Sequence, residues 1–101
     1  MTNALTPKQR AQLRSLAHPL KPVLQIGKDG VTETSVRAVE NLFNKRELLK
    51  IKVLDTAPED AQASGEKLAA RIANLHLVQV IGRTVVLYRP HPEKPEIKLA
   101  S

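Results

Sequence analysis

"PVLQIGKDGVTETSVRAVENLFNKRELLKIKVL", residues 22–54, is the stretch whose reading decides the fold. It opens on a short apolar run between Pro22 and Gly27, which reads as a strand. Gly27-Lys28-Asp29-Gly30 then breaks the run. Thr32 is an N-cap type, and beyond it Val36, Val39, Leu42 and Phe43 recur at helical spacing. Arg37, Glu40, Asn44 and Lys45 fall outside that stripe. "LLKIKVL" alternates: Leu49, Ile51 and Val53 face one way, Lys50 and Lys52 the other. A strand, a helix and a second strand in that order favour parallel pairing through a crossover.

Upstream, "LTPKQRAQLRSLAHPLKP" (5–22) opens with a helix start. Thr6 caps, Pro7 suits the first helical position, and Gln9 completes a capping box. Leu13, Leu16, Ala17 and Leu20 form its expected apolar stripe, with Arg10, Arg14 and His18 on a neighbouring face. Pro19 ends the helix. Downstream, "DTAPEDAQASGEKLAARIANLH" (55–76) reads as another helix, begun between Asp55 and Pro58, with its acids at the favourable end of the dipole. Its inward positions are Ala61, Gly65, Leu68, Ala69, Ile72 and Leu75, small enough in part to let it lie close to a sheet. "LVQVIG" and "TVVLYRP" are two strands joined at Gly82-Arg83, a hairpin.

The expected fold is therefore α/β of the α+β kind and two-layered. A helix precedes β-α-β-α-β-β, with helices packed on a mixed four-stranded sheet. Residues 1–90 form one domain, and 91–101, rich in proline, form a tail that is irregular or loosely attached.

Composition narrows the function. The chain has 101 residues, of which 42% are hydrophobic, enough for one core. No apolar run is long enough to span a bilayer. The first ten residues lack the order of a secretion signal. With no cysteine, disulfides, zinc–thiolate sites and thiol catalysis are excluded, and a reducing cytoplasm is the natural compartment. Sixteen Lys and Arg stand against ten Asp and Glu, a net charge of +6. Such a field attracts polyanions, nucleic acid first. The bases are not evenly spread: Lys8, Arg10, Arg14, Lys21 and Lys28 precede the first acid, whereas Asp55, Glu59, Asp60 and Glu66 gather later.

Two readings of Gly27–Gly30 stand side by side. One is a tight turn. The other is a backbone cradle for phosphate: glycines permit close approach, Lys28 supplies a mobile cation, and the next helix begins nearby with free N–H groups. Asp29 fits the turn better than the anion site. The spacing matches the GxxG loop with which KH-type domains clamp a nucleic-acid backbone. It lacks the Lys-Ser/Thr ending of a P-loop and the third glycine of a dinucleotide fingerprint.

Other groups divide similarly between bland and sharp readings. His18 can serve the helix end or contact RNA. Arg10 and Arg14 have no acid to pair with on their helix, which favours an anion. Lys50 and Lys52 read as a solvated strand face and become interesting only beside the loop. Phe43 reads as core and Tyr88 as half-buried, so no aromatic platform for stacking bases is expected, and recognition should rest on phosphates, riboses and shape. His76 and His91 suggest no metal site, no cofactor motif appears, and no catalytic constellation is visible. The alternative to RNA binding is a protein-interaction module whose basic face docks an acidic partner. A membrane partner is disfavoured because the helices lack a basic face with bulky aromatics.

"LTPKQRAQLRSLAHPLKPVLQIGKDGVTE", "ELLKIKV" and "VIGRTVVLYR" together resemble the CRM domain family (chloroplast RNA splicing and ribosome maturation), in particular its single-domain bacterial YhbY type. The resemblance runs from Leu5 to about Pro90. It implies a fold like the C-terminal domain of translation initiation factor three, with an added N-terminal helix. It implies RNA binding with the GxxG loop as a main contact, and ribosomal assembly particles and the rRNA of large-subunit precursors as partners. Carried over by position, the loop falls on Gly27, Lys28, Asp29 and Gly30. The basic residues of the N-terminal motif fall on Lys8, Arg10, His18 and Lys21, and those of the C-terminal motif on Arg83 and Arg89.

Overall fold

A computed structural model describes residues 4–100; residues 1–3 and 101, which the sequence reading includes in the domain and the tail, lie outside the described residues. The elements are α1 (Pro7–Ala17), β1 (Pro22–Ile26), α2 (Glu33–Leu42), β2 (Leu48–Val53), α3 (Ala61–Arg71), β3 (His76–Ile81) and β4 (Thr84–Tyr88). The strands form one mixed sheet in the order β1-β2-β4-β3. β1 and β2 are parallel, as the crossover through α2 requires. β4 folds back from β3 and inserts beside β2, antiparallel to both. The turn between β3 and β4 has Gly82 at φ 57°, the glycine-first arrangement of a two-residue hairpin.

Alternation in β2 divides the interior in two. On one face Leu49, Ile51 and Val53 join Ile26, Val85 and Leu87 beneath α2 and α3, which contribute Val36, Val39, Phe43 and Leu68. This is the two-layer unit. On the reverse face Leu48, Val78, Val86 and Tyr88 pack under Leu13 and Ala17 of α1. Tyr88 is therefore wholly buried where the sequence suggests half-burial. Gly65 lets α3 approach the sheet closely: a Cβ there would lie 2.9 Å from Leu77 Cδ1 and 3.0 Å from Val85 Cγ1.

Two expectations need correction, and the tail's two readings separate. α3 starts at Ala61, later than the acids suggest. Its cap is Asp60, whose Oδ1 accepts the Ala63 N–H at 2.8 Å. Asp55 and Glu59 precede it and pair with Arg83 and Lys67. Leu16 and Leu20 are 45% and 38% exposed, because α1 lays only the narrow Leu13–Ala17 strip on the sheet. The segment after Pro90 forms no helix or strand, yet it is firmly held. Ile97 and Leu99 pack on the reverse-face core, and Gln12 exchanges hydrogen bonds with Lys98 and Ala100. The buried Glu47 carboxylate accepts N–H groups from His91, Glu96 and Ile97 at 2.6–2.7 Å. Burial alone would raise its pKa; those three donors hold it below the ordinary carboxylate value.

Candidate nucleic-acid interface

The loop leaves the sheet at the end of β1, and the strand register places it relative to the reverse face. β1 ends at Ile26, whose partner is Val53, and the Leu54 N–H closes on Ile26 O at 2.8 Å. The chain then leaves the sheet through a turn in which the Gly30 N–H donates to Gly27 O at 2.9 Å. Lys28 and Asp29 form its exposed tip, and their amides take no partner among the described residues. Gly30 anchors the turn from beneath. It is buried with φ at 68°, and a Cβ there would sit 2.9 Å from Pro58 Cγ. Gly27 has no such constraint: its nearest neighbour would be Leu54 Cδ1 at an ordinary 3.7 Å.

The start of α2 is less available to an anion than the sequence suggests. The Ser35 N–H donates to Thr32 Oγ1 at 3.2 Å, and the Thr32 N–H donates to Ser35 Oγ at 2.7 Å. Glu33 adds a carboxylate to the first turn, where it complements the dipole and pairs loosely with Arg37 and Arg71. The positive end of that helix is already answered from within the chain.

A better-formed feature lies on the reverse face. α1 covers the half of the sheet that holds Leu48 and Tyr88 and leaves the other half open. Between them runs a groove of about 640 Å³. Arg14, Ala17, His18 and Pro19 form the helical wall. Lys50, Gln79, Ile81 and Val86 form the floor. The Lys50 ammonium donates to His18 O at 3.3 Å, placing a cation at the negative end of α1. Lys52 is the next residue on the same face and is paired with Gln25 and Thr84. Gly27 lies two residues past Gln25, about 7 Å along the strand. The groove and the exposed turn therefore border one surface.

The predicted site residues divide accordingly. Arg14 and His18 line the groove, whereas Gly27, Lys28 and Asp29 do not line it and lie in the turn beyond the end of β1. Lys21 is exposed beside Pro22, whose partner in β2 is Lys50, so it borders the same surface. Arg83 lies at the loop end of the sheet, but its guanidinium is 3.5 Å from the Asp55 carboxylate, a pair exposed to solvent. Lys8 lies in the first turn of α1, ten residues and about 15 Å along the helix from His18. Arg89 follows Tyr88 at the far end of β4, about 17 Å along the strand from Thr84.

Arg10 turns inward. Its guanidinium donates to Leu77 O at 2.8 Å and to Val78 O at 2.7 Å, where β3 bulges. The absence of an acid on its helix pointed to an external anion; main-chain carbonyls supply the acceptors instead. His76, stacked on Tyr88 at 5.9 Å, has its pKa lowered by burial and then by Arg10. His91 is also used internally, its Nδ1 accepting the Glu93 and Lys94 N–H groups.

Sequence reasoning left Lys50 open and missed Gln79, Pro19 and Ile81. The available signal was Ile81, an aliphatic side chain at a strand end immediately before the Gly82 turn. It pairs with Thr84 and is 53% exposed.

Comparison with known proteins finds relatives across nearly the whole chain. The family model of the CRS1 / YhbY (CRM) domain matches residues 5–89. A Bacillus subtilis protein named "Probable RNA-binding protein YqeI" is 40% identical over 94% of this chain and 98% of its own length. A Haemophilus influenzae protein named "RNA-binding protein" is 39% identical over 88% of this chain and 89% of its own. The solution structure of the Staphylococcus aureus protein SAV1595 superposes with a TM-score of 0.79 at 40% identity, covering 96% of this chain and all of that one.

Proposed function

Because the chain belongs to the CRS1 / YhbY (CRM) domain family, we propose that it binds RNA through the Gly27–Gly30 turn and the groove beside it. The observation that carries this reading is the shared border of the two features. An exposed turn whose Lys28 and Asp29 amides take no partner among the described residues follows the strand whose Gln25 pairs with Lys52, on the face that also bears Arg14, His18 and Lys50. Phosphates fit such a surface because N–H groups and cations grip them without reading sequence. The protein acts by docking on the rRNA of large-subunit precursors in the cytoplasm, holding a folding intermediate and performing no chemistry itself. The names of the relatives support the RNA partner, and the resemblance set out above supports the ribosomal setting.

Crosslinking in cells followed by sequencing of the attached RNA tests the proposal, with the Lys28→Asp variant as comparison. The expected result is enrichment of large-subunit rRNA precursors that falls in the variant, while its melting temperature stays near the parent's. Capture that persists after ribonuclease, with no RNA attached, would replace this reading with an acidic protein partner on the same face.

A further inference from the structure

We infer that the groove between α1 and the reverse face of the sheet is a slot for one unpaired nucleotide, so that the protein selects single-stranded or looped RNA over continuous duplex. This rests on the RNA reading above and adds to it. A surface that only gripped phosphates would need cations and amides alone. This groove has an apolar floor as well: Val86 closes its base and Ile81 stands beside it more than half exposed. Across from them are Pro19 and the His18 imidazole. A nucleobase presents two apolar faces, and in a duplex both are covered by neighbouring bases. Val86 is itself wholly buried and only backs the floor, so it is on Ile81 that a base out of the stack has a face free to lie.

The polar groups suit the rest of a nucleotide. The Gln79 carboxamide faces the groove with no partner among the described residues, and it offers both a donor and an acceptor to a base edge. Arg14 and Lys50 flank the floor as cations for the adjoining phosphates. The groove volume of about 640 Å³ falls within the range of roughly 300–1,000 Å³ found for small-molecule sites. Aromatic stacking platforms are absent from the described surface, since Phe43 and Tyr88 are both buried, so a base held here would rest on an aliphatic surface instead.

Two RNAs of equal length decide the matter by fluorescence anisotropy at one salt concentration: a continuous duplex, and the same duplex interrupted by an unpaired loop carrying 2-aminopurine. The looped RNA is expected to bind more tightly. Ile81→Ser should remove most of that preference, about fivefold, leaving duplex binding almost unchanged. Leu16→Ser, which changes a similarly exposed aliphatic residue outside the groove, should alter neither. Gln79→Ala provides a second variant that leaves the sheet interior intact, and it should also weaken the looped RNA selectively. The 2-aminopurine emission should shift on binding to the parent protein and not to Ile81→Ser. Equal affinity for the two RNAs, or equal losses from Ile81→Ser and Leu16→Ser, overturns the slot while leaving RNA binding standing. Failure to bind either RNA overturns the RNA reading itself, and the slot with it.

Discussion

The two glycines of the exposed turn should behave differently when each is replaced by alanine. Gly30 has φ at 68°, and a Cβ there would meet Pro58 Cγ at 2.9 Å and Cδ at 3.3 Å. A side chain in the left-handed region costs about 1–2 kcal/mol. The contact with the proline ring adds to this, although Pro58 is exposed and can yield somewhat. No compensating gain from stiffening the unfolded chain applies fully where the native backbone is incompatible with alanine. A loss of about 1–2 kcal/mol results, and in a domain of this size each kcal/mol lowers the melting temperature by about 4–8 °C. Gly30→Ala should therefore melt roughly 5–15 °C below the parent. Gly27 has no positive φ, and its Cβ would make one ordinary contact at 3.7 Å. Gly27→Ala should stay within about 0.5 kcal/mol of the parent. Its effect should appear in RNA affinity, because nothing inside the protein requires a glycine there and the proposed close approach of a sugar-phosphate chain would. Thermal melts and anisotropy on the same preparations separate the outcomes. A Gly30→Ala protein as stable as the parent would refute the account of the turn. A Gly27→Ala protein with undiminished affinity would refute the close approach.

Salt should report the number of phosphates held. If Arg14, Lys28, Lys50 and Lys52 each engage one, log affinity for a single strand falls with log salt at a slope of about −3, and Lys28→Asp makes the slope shallower by about one. Glu47 links the tail to pH: its pKa lies below the ordinary 4.5, so its contribution is complete above that value and is lost as pH falls through the lowered one. Acidification through the lowered pKa should then speed hydrogen exchange at the His91, Glu96 and Ile97 amides before the sheet opens, and Glu47→Ala should do so at neutral pH. Gly65→Ala gains up to about 1 kcal/mol of helix propensity but forces a methyl against the stiff Val85 side chain; a net loss of about 1 kcal/mol is expected in thermal melts.

Much of the fold could be read without coordinates because its signals are local. Thr6 and Thr32 cap the first two helices, alternation in "LLKIKVL" marks a two-faced strand, and Gly82 marks the hairpin. Boundaries were harder where two residues competed for one role. Asp55, Glu59 and Asp60 can each begin a helix, and only the placement of the turn beneath the Gly27 loop selects Asp60. The tail looked loose because its prolines prevent regular structure, and its anchor, Glu47, is more than forty residues away in sequence.

The candidate site divides in the same manner. Local chemistry sufficed for the Gly27–Gly30 turn, since glycine spacing and an exposed lysine are properties of adjacent residues. The amino-acid order also determined that a basic helix precedes a β-α-β unit. What no order of residues could show is which side chains converge. Arg10 and Arg14 are one helical turn apart, yet one is drawn into a β3 bulge and the other lines an open groove. Lys50, Gln79 and Ile81 become neighbours of His18 only because β4 inserts between β2 and β3 and α1 crosses the resulting face. Periodicity follows from the geometry of a few bonds, whereas convergence depends on the packing of distant segments, and that is settled only when the whole chain has folded.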